Sequence, residues 1–236
     1  MITLYGFGRS LGMYDPSPFV LKVAAFMRMA NVPFSFNGNV NHVFKAPKKK
    51  LPYINDNGTL VCDSTFIISY LKTHYATEFD AHLTAQQQAC AHLIGKSLDE
   101  NFYWCLVYFR WIDAASWPAV KTALFGRLPF VLRSVVPLVA RRGVARQVFN
   151  QGMGRHSKDE VLAISRDTLD ALSVLIGDQP FCFGDKPFSL DATVYAFLAE
   201  AILVKLDNAF TRQARQYDNL QRYCDQIHQR YFTATQ

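Results

Sequence analysis

The sequence lacks the cysteine patterns that hold metal ions or form redox-active pairs. It has an odd number of cysteines and no C-x-x-C spacing; the five are Cys62, Cys90, Cys105, Cys182 and Cys224. Zinc sites and dithiol motifs need closely spaced cysteines. We therefore expect no metal site and free thiols in a reducing compartment.

Long hydrophobic runs, an export signal and nucleic-acid motifs are also missing. Arginines interrupt the apolar segment 124–149 before it reaches the roughly 18 residues that a membrane-spanning helix needs. The segment favours a basic helical region, with contact to a membrane surface or an acidic partner as the alternative. No basic region precedes the apolar start of the chain, so we expect a cytoplasmic protein. The scattered formal charge of +6 favours small anionic ligands over nucleic acid.

A sizeable core can form, because half of the 236 residues are hydrophobic and 14% are aromatic. The first 75 residues alternate between strand and helix patterns in the order β-α-β, then β-β-α. Asn57-Gly58 supplies the tight turn of a hairpin between the last two strands. This order predicts a thioredoxin-like domain, with strands at 2–5, 33–36, 51–54 and 59–62, helices at 18–30 and 65–74, and a polar loop at 37–50.

The rest of the chain has helical patterns only. Two capping boxes open helices, one from Thr84 to about Ile112 and one from Ser157 to about Gly177. Two further helices are predicted at 191–205 and 219–231. The expected organisation is an α/β thioredoxin-like domain at 1–75, a linker at 76–83 and an all-α domain at 84–236.

Leu51-Pro52 is the first candidate for binding chemistry. A cis peptide bond here would turn the backbone N–H and C=O of Leu51 outward, where an extended peptide ligand pairs with them. A trans proline at the start of an edge strand is the alternative.

Asp63-Ser64 is the second candidate, between a strand and a helix. Ser64 is predicted to cap the helix, whose free N–H groups suit an anion, and Asp63 suits an ammonium group. Together they fit the end of an amino acid; a simple helix cap is the alternative. On the helix predicted at 65–74, Phe66, Ile67, Tyr70 and Leu71 are predicted to share the apolar face.

Ser17 and Tyr5 are rival hydrogen-bond donors to a thiolate or oxyanion. Ser17 precedes the helix that begins at Pro18, so its hydroxyl lies near the positive end of the helix dipole. Asp15 opposes this electrostatically. Tyr5 ends the first strand, from which its phenol could reach the same crevice. Each has a structural alternative, as a cap or as a strand aromatic, and neither belongs to a Ser-His-Asp arrangement.

These motifs, in this order, resemble the glutathione S-transferase superfamily. Later segments resemble its failed-axon-connections and metaxin-like branch, and the similarity extends from Ile2 to Phe232. The segments that resemble the branch are 101–113, 151–156, 183–187 and 189–192, whereas 219–223 and 230–232 resemble the closing helix of the superfamily. Two positions depart from the family pattern. Val20 stands where relatives often have cysteine, which argues against disulfide exchange and a reductase or peroxidase. Phe188 replaces a Ser or Thr three residues before Asp191, so Asp191 is expected to anchor its helix through a different partner.

The resemblance implies a glutathione site in a crevice between a thioredoxin-like domain and a helical domain. Pro52 would be the cis-proline, and Leu51 would pair its backbone with the cysteinyl part of glutathione. Asp63 and Ser64 would hold the γ-glutamyl end. Lys50, or Lys49, would face the glycyl carboxylate, with solvated loop lysines as the alternative.

The resemblance further implies a glutathione transferase, with a homodimer as the expected assembly, in which Ser17 or Tyr5 activates the thiol. Trp104, Tyr108 and Trp111 are spaced to share one helix face. They would bind an apolar electrophile, or they pack in the helical core. The alternative function is a non-catalytic interaction protein with the same fold, since fold does not fix function.

Overall fold

A mixed four-stranded sheet forms the first part of the molecule. The computed structural model describes residues 1–126 and 128–233. The strands are β1 (Ile2–Tyr5), β2 (Phe34–Asn37), β3 (Tyr53–Asp56) and β4 (Thr59–Cys62), in the spatial order β2-β1-β3-β4. β1 pairs parallel with β2 and antiparallel with β3, and β3 pairs antiparallel with β4. This confirms the predicted thioredoxin-like sheet.

The β3–β4 hairpin turns at the predicted dipeptide. Asn57 and Gly58 both have positive φ, 48° and 102°, as a tight primed turn requires. The Gly58 N–H also donates to Oδ1 of Asn55, at 2.8 Å. β3 begins two residues later than predicted, at Tyr53, and this leaves Leu51 and Pro52 outside the ladder.

Three helices accompany the sheet: α1 (Pro18–Met29), α2 (His42–Lys45) and α3 (Ser64–Tyr75). The prediction of a polar loop at 37–50 was wrong in part, because the short helix α2 lies within it. The predicted apolar face of α3 was also wrong at one position. Ile67 and Leu71 are fully buried, whereas Phe66 is 61% exposed.

The remainder is helical, and both capping boxes are confirmed, at Thr84 with Gln87 and at Ser157 with Glu160. The long helix predicted to end near Ile112 does so, but π-helical segments interrupt it. Its parts are α4 (Ala85–Ser97), Leu98–Phe102 (π), α5 (Tyr103–Val107) and Tyr108–Ile112 (π). The later helices are α6 (Trp117–Phe125), α7 (Phe130–Gln151), α8 (Lys158–Ile176), α9 (Ser189–Ile202), α10 (Ala209–Ala214) and α11 (Asp218–His228), and α11 is followed by a π-helical segment, Gln229–Thr233.

The core lies where α1 packs against α9. Ten of the twelve α1 residues are buried, and so is every α9 residue from Leu190 to Ile202. The buried Lys22 of α1 forms an ion pair with Asp99, at 2.7 Å. Residues 76–83 contain neither helix nor strand, and the division of the chain into two domains there stays a prediction. Across the described ranges, no helix is long and apolar enough to span a membrane.

Candidate functional site

The strand register brings three connecting segments to one edge of the sheet. Tyr5 at the end of β1 pairs with Tyr53 at the start of β3, which pairs with Cys62 at the end of β4. Adjacent strands lie about 4.8 Å apart. The segments that follow β1, precede β3 and follow β4 therefore meet at this edge, and they carry Ser17, Leu51-Pro52 and Asp63-Ser64.

The Leu51–Pro52 peptide bond is cis, as expected from the resemblance. Leu51 lies just outside the β3 ladder. Within the described part of the chain, neither its N–H nor its C=O has a hydrogen-bond partner. Buried backbone groups are rarely left unpaired. Leu51 is itself buried, so its unpaired N–H and C=O make this position a candidate for pairing with an extended ligand.

Asp63, and not Ser64, is the N-cap of α3. Its Oδ1 accepts from the Thr65 N–H at 2.9 Å, and its backbone has φ 80° and ψ 129°. The prediction of a Ser64 cap was wrong because the positive φ of Asp63 turns its own carboxylate over the helix start. A non-glycine residue in such a conformation costs roughly 1–3 kcal/mol and is typical of ligand sites.

Ser64 is therefore the first helical residue, and it is buried. The N–H groups of Ser64 and Phe66 have no partner among the residues described here. They point beyond the N-terminus of a 12-residue helix, where backbone dipoles favour an anion. Asp63 and Ser64 thus combine a carboxylate with free N–H donors, as the amino and carboxylate groups of an amino acid need.

The two candidate lysines differ in their surroundings. Lys49 has φ 52°, and its ammonium donates to the Phe44 carbonyl at 2.6 Å. Lys50 is exposed beside Leu51. Of the two, Lys50 has the side chain that can turn toward a ligand carboxylate.

The loop before α1 is organised around the buried carboxylate of Asp15. Its Oδ2 accepts from the N–H groups of Phe7 (2.7 Å) and Gly8 (2.9 Å), and its Oδ1 accepts from the Ser17 N–H (2.9 Å). Ser17 Oγ accepts from the Val20 N–H at a long 3.5 Å. Because this bond uses only the oxygen, the Ser17 hydroxyl proton is available to a ligand sulfur.

The charge of Asp15 depends on pH near neutrality. Burial raises the pKa of Asp15 to about 7, although its bonds from Ser17, Gly8 and Phe7 act in the opposite direction. The electrostatic opposition to Ser17 that the sequence suggests is therefore reduced below that pH.

A buried ion pair supports the same loop from the helical part of the molecule. Arg110 donates through Nη1 to the Pro16 carbonyl and through Nη2 to Glu200, at 2.7 Å for the second contact. Sequence reasoning missed both residues. The available signal was a glutamate in the apolar second half of helix α9 and an arginine within an aromatic run, since buried charges need partners.

Tyr5 lies in an aromatic cluster. Its ring stacks on Tyr53, with centroids 4.3 Å apart, and lies 4.6 Å from the His42 ring of α2. Tyr53 and His42 are also joined by a 3.3 Å hydrogen bond. Ser17, by contrast, stands at the start of α1, and the choice between Ser17 and Tyr5 as the donor stays a prediction.

The three predicted aromatic side chains are all half-buried. Their predicted common helix face assumed regular α-helical spacing, but a π-helical segment begins at Tyr108. Trp111 packs against Trp117 of α6, with centroids 5.9 Å apart. Near the start of α1, the ring of Phe19 packs against the ring of Tyr103, with centroids 4.8 Å apart. A substrate role for Trp104, Tyr108 and Trp111 stays a prediction.

Comparison with known proteins identifies the family. A model of the glutathione S-transferase N-terminal domain matches residues 18–116, and one of the C-terminal domain matches 165–227. The isoprene-epoxide–glutathione S-transferase of Rhodococcus sp. (strain AD45) is 36% identical over 210 residues, which cover 84% of this chain and 85% of that protein. The chain belongs to the glutathione S-transferase family.

Other relatives place this glutathione S-transferase family member in the failed-axon-connections and metaxin-like branch. Failed axon connections of Drosophila melanogaster is 29% identical, with 89% of this chain matching 52% of that protein. Human metaxin-2 is 27% identical, with coverages of 90% and 81%. The relatives of this chain thus include both a named transferase and proteins whose names state no reaction.

Solved structures show the glutathione S-transferase fold. The beta-etherase LigF from Sphingobium sp. strain SYK-6 superposes with a TM-score of 0.66 at 17% identity, covering 96% of this chain and 94% of that one. The apo form of glutathione S-transferase III gives a TM-score of 0.59 at 16% identity, with coverages of 96% and 91%.

Asp191 anchors helix α9 in this glutathione S-transferase structure, as expected. Its carboxylate accepts from the N–H groups of Cys182 (2.7 Å) and Phe188 (2.8 Å) and from the Tyr223 hydroxyl (2.9 Å). Phe188 contributes its backbone N–H at the position where relatives often have a Ser or Thr. Ser189 is bonded instead to Asp80, through its N–H at 2.9 Å.

Gly6→Ala should destabilise the loop that carries Ser17. A Cβ at residue 6 would lie 2.6 Å from Oδ2 of Asp15 and 2.7 Å from Cγ1 of Val20. We expect the free energy of unfolding to fall by about 1–3 kcal/mol in urea denaturation. Gly95→Ala is the matched control, because nothing lies within 4 Å of its Cβ; it should be neutral or stabilising. Equal stability of the two variants would contradict the close packing around Gly6.

Proposed function

We propose that this protein conjugates the thiol of glutathione to an apolar electrophile. The observation that carries the proposal is the meeting, at one sheet edge, of the unpaired Leu51 backbone and the open start of α3. Glutathione is an extended tripeptide with an amino acid end. It would pair with Leu51 through its cysteinyl part and with Asp63 and Ser64 through its γ-glutamyl end. Lys50 would face its glycyl carboxylate.

Ser17 activates the sulfur in this proposal. Its hydroxyl donates a hydrogen bond to the sulfur, and bonding to the charged form lowers a thiol pKa. The thiol proton goes to solvent, and the thiolate attacks an electrophilic carbon. An S–C bond forms while the bond from that carbon to its leaving group breaks.

An epoxide is the favoured class of electrophile, because the relative at 36% identity is named for an isoprene epoxide. In that case the C–O bond of the strained ring breaks, and the alkoxide oxygen takes a proton from water. We also propose a cytoplasmic location, which the five free cysteines support, and a homodimeric assembly.

The second candidate is a non-catalytic interaction protein. It is favoured by the failed-axon-connections and metaxin relatives. Calorimetric titration with glutathione separates the two candidates. The proposed enzyme binds glutathione at millimolar concentration or below, and the absence of binding in that range would refute the glutathione site.

Ser17→Ala should lower kcat/KM for glutathione conjugation about 10–100-fold. A hydrogen bond to a charged group contributes roughly 1.5–3 kcal/mol, and the pH profile of the reaction should move upward as the thiol pKa rises. Ser17→Thr keeps both the hydroxyl and the cap, so it should retain most activity. Tyr5→Phe should change little. A pH profile that moves in Tyr5→Phe and not in Ser17→Ala would assign the role to Tyr5.

A further inference from the structure

Helix α7 carries an exposed apolar face that the proposed function does not use. Val131, Val135 and Val139 are 75%, 57% and 62% exposed, and Leu138 is 52% exposed. These side chains recur at helical spacing, so they lie along one side of the helix. Exposed apolar side chains grouped in this way mark an interaction surface.

The opposite side of α7 is firmly held by the rest of the molecule. Pro137 and Val148 are buried. Arg141 donates to the carbonyls of Trp111 (2.8 Å) and Ile112 (2.9 Å), and its guanidinium lies 4.8 Å from the centre of the Trp117 ring. The apolar face therefore has a fixed orientation on the molecule.

The same face becomes basic toward the C-terminal end of the helix. Arg142 and Arg146 follow Val135 and Val139 at helical spacing, and both are exposed. Phe149, 53% exposed, continues the face beyond them. In the described ranges, neither arginine has a carboxylate partner.

The sequence segment that contains α7 carries charge of a single sign, although Lys158 at its end forms an ion pair with Asp113, at 3.1 Å. Residues 114–158 contain no Asp or Glu, but they contain eight basic residues: Lys121, Arg127, Arg133, Arg141, Arg142, Arg146, Arg155 and Lys158. This local charge of +8 exceeds the +6 of the whole chain. The surface therefore favours an anionic occupant with an apolar part.

We propose that α7 docks this protein on the surface of an anionic lipid bilayer. Val131, Val135, Leu138 and Val139 would enter the headgroup region, and Arg142 and Arg146 would contact lipid phosphates. Phe130 and Leu132 favour lipid over a protein groove. They are 85% and 45% exposed, and at about 100° per residue they lie on opposite sides of the helix. A protein groove would cover only one side of the helix, whereas a fluid bilayer can contact the apolar side chains on both sides of the helix end.

Vesicle sedimentation tests the proposal with the full chain. The protein should sediment with vesicles of phosphatidylcholine and phosphatidylserine, and much less with phosphatidylcholine alone. Arg142→Gln/Arg146→Gln should weaken binding to the anionic vesicles roughly 30-fold, as the loss of two basic residues at a membrane surface does. Val131→Ser/Val135→Ser/Val139→Ser should also abolish most binding, because it removes the inserted side chains. All five side chains are exposed, so both variants should keep the stability of the parent.

Matched controls come from α8, where Arg166 and Val174 are also exposed. Arg166→Gln and Val174→Ser should leave vesicle binding unchanged. Equal loss in the α7 and α8 variants would overturn the proposal, as would the absence of binding to anionic vesicles. Concentration-dependent dimerisation that the α7 variants abolish, without vesicle binding, would assign the face to a second copy of the chain. Glutathione titration of the same variants should be unaffected, which separates this surface from the proposed active site.

Discussion

Arg110→Met should lower the free energy of unfolding by about 3–5 kcal/mol. The substitution leaves the carboxylate of Glu200 buried without its partner, and an uncompensated buried charge has a cost of this size. Glu200 is fully buried, and burial raises the pKa of its carboxyl. Among the described residues, its Oε1 already has no hydrogen-bond partner. The Pro16 carbonyl also loses its donor. Urea denaturation monitored by fluorescence measures the change.

Two further variants separate the buried charge from lost packing. Arg110→Met/Glu200→Leu removes both charges and should recover most of the loss, since apolar replacements of buried pairs are often neutral. Arg222→Met removes one partner of the exposed Arg222–Asp178 pair, at 2.7 Å, and should cost less than about 1 kcal/mol. If the double variant is no more stable than Arg110→Met, the buried charge is not the cause.

Stability should fall as the pH rises through neutrality, and Asp15 should be a main cause. The pKa of Asp15 is raised from 3.8 to about 7 by burial, so the folded state holds a proton that the unfolded state has released. The contribution is fully present below about pH 4 and is lost as the pH passes 7. At 1.36 kcal/mol for each pKa unit, the loss is roughly 4 kcal/mol.

Asp15→Asn isolates this contribution, because the amide does not titrate. Burial also raises the pKa of the carboxyls of Asp191 and Glu200, so the variant should keep a part of the slope in the same direction. The measured quantity is the difference in slope between the two proteins, from urea denaturation at several pH values between 4 and 8. Identical slopes would show that Asp15 is ionised throughout in the folded protein.

Local rules predicted much of the secondary structure. The capping boxes at Thr84 and Ser157, the Asn57-Gly58 turn and the start of α1 at Pro18 all depend on residues within four positions of each other. The π-helical segments were not predictable in this way, because tertiary packing decides where a helix widens. The prediction for Phe66 was wrong because helical spacing alone groups it with buried residues such as Ile67, whereas the fold leaves its side chain exposed.

The candidate site also contains residues that the sequence predicted and residues that it did not. Leu51-Pro52 and Asp63-Ser64 were singled out because their positions beside strands and helix starts are visible in the sequence. The ion pair of Arg110 with Glu200 was missed because 90 residues separate its partners. The sequence did not predict that Asp15 organises the loop before α1. Its partners are backbone N–H groups, including those of Phe7 and Gly8, and side-chain patterns do not identify such partners.

Because α1 is buried on both of its sides, the two halves of this chain depend on each other for solubility. One side of α1 carries Phe19, whose ring lies 5.6 Å from the ring of Phe197 in α9, so a fragment cut after Tyr75 would expose that side to water. The amino-terminal fragment should therefore be insoluble by itself and recover its shape only when the carboxy-terminal fragment is co-expressed. A recombinant that takes one half from a distant relative would also need the surface of α1 or α9 that matches that half.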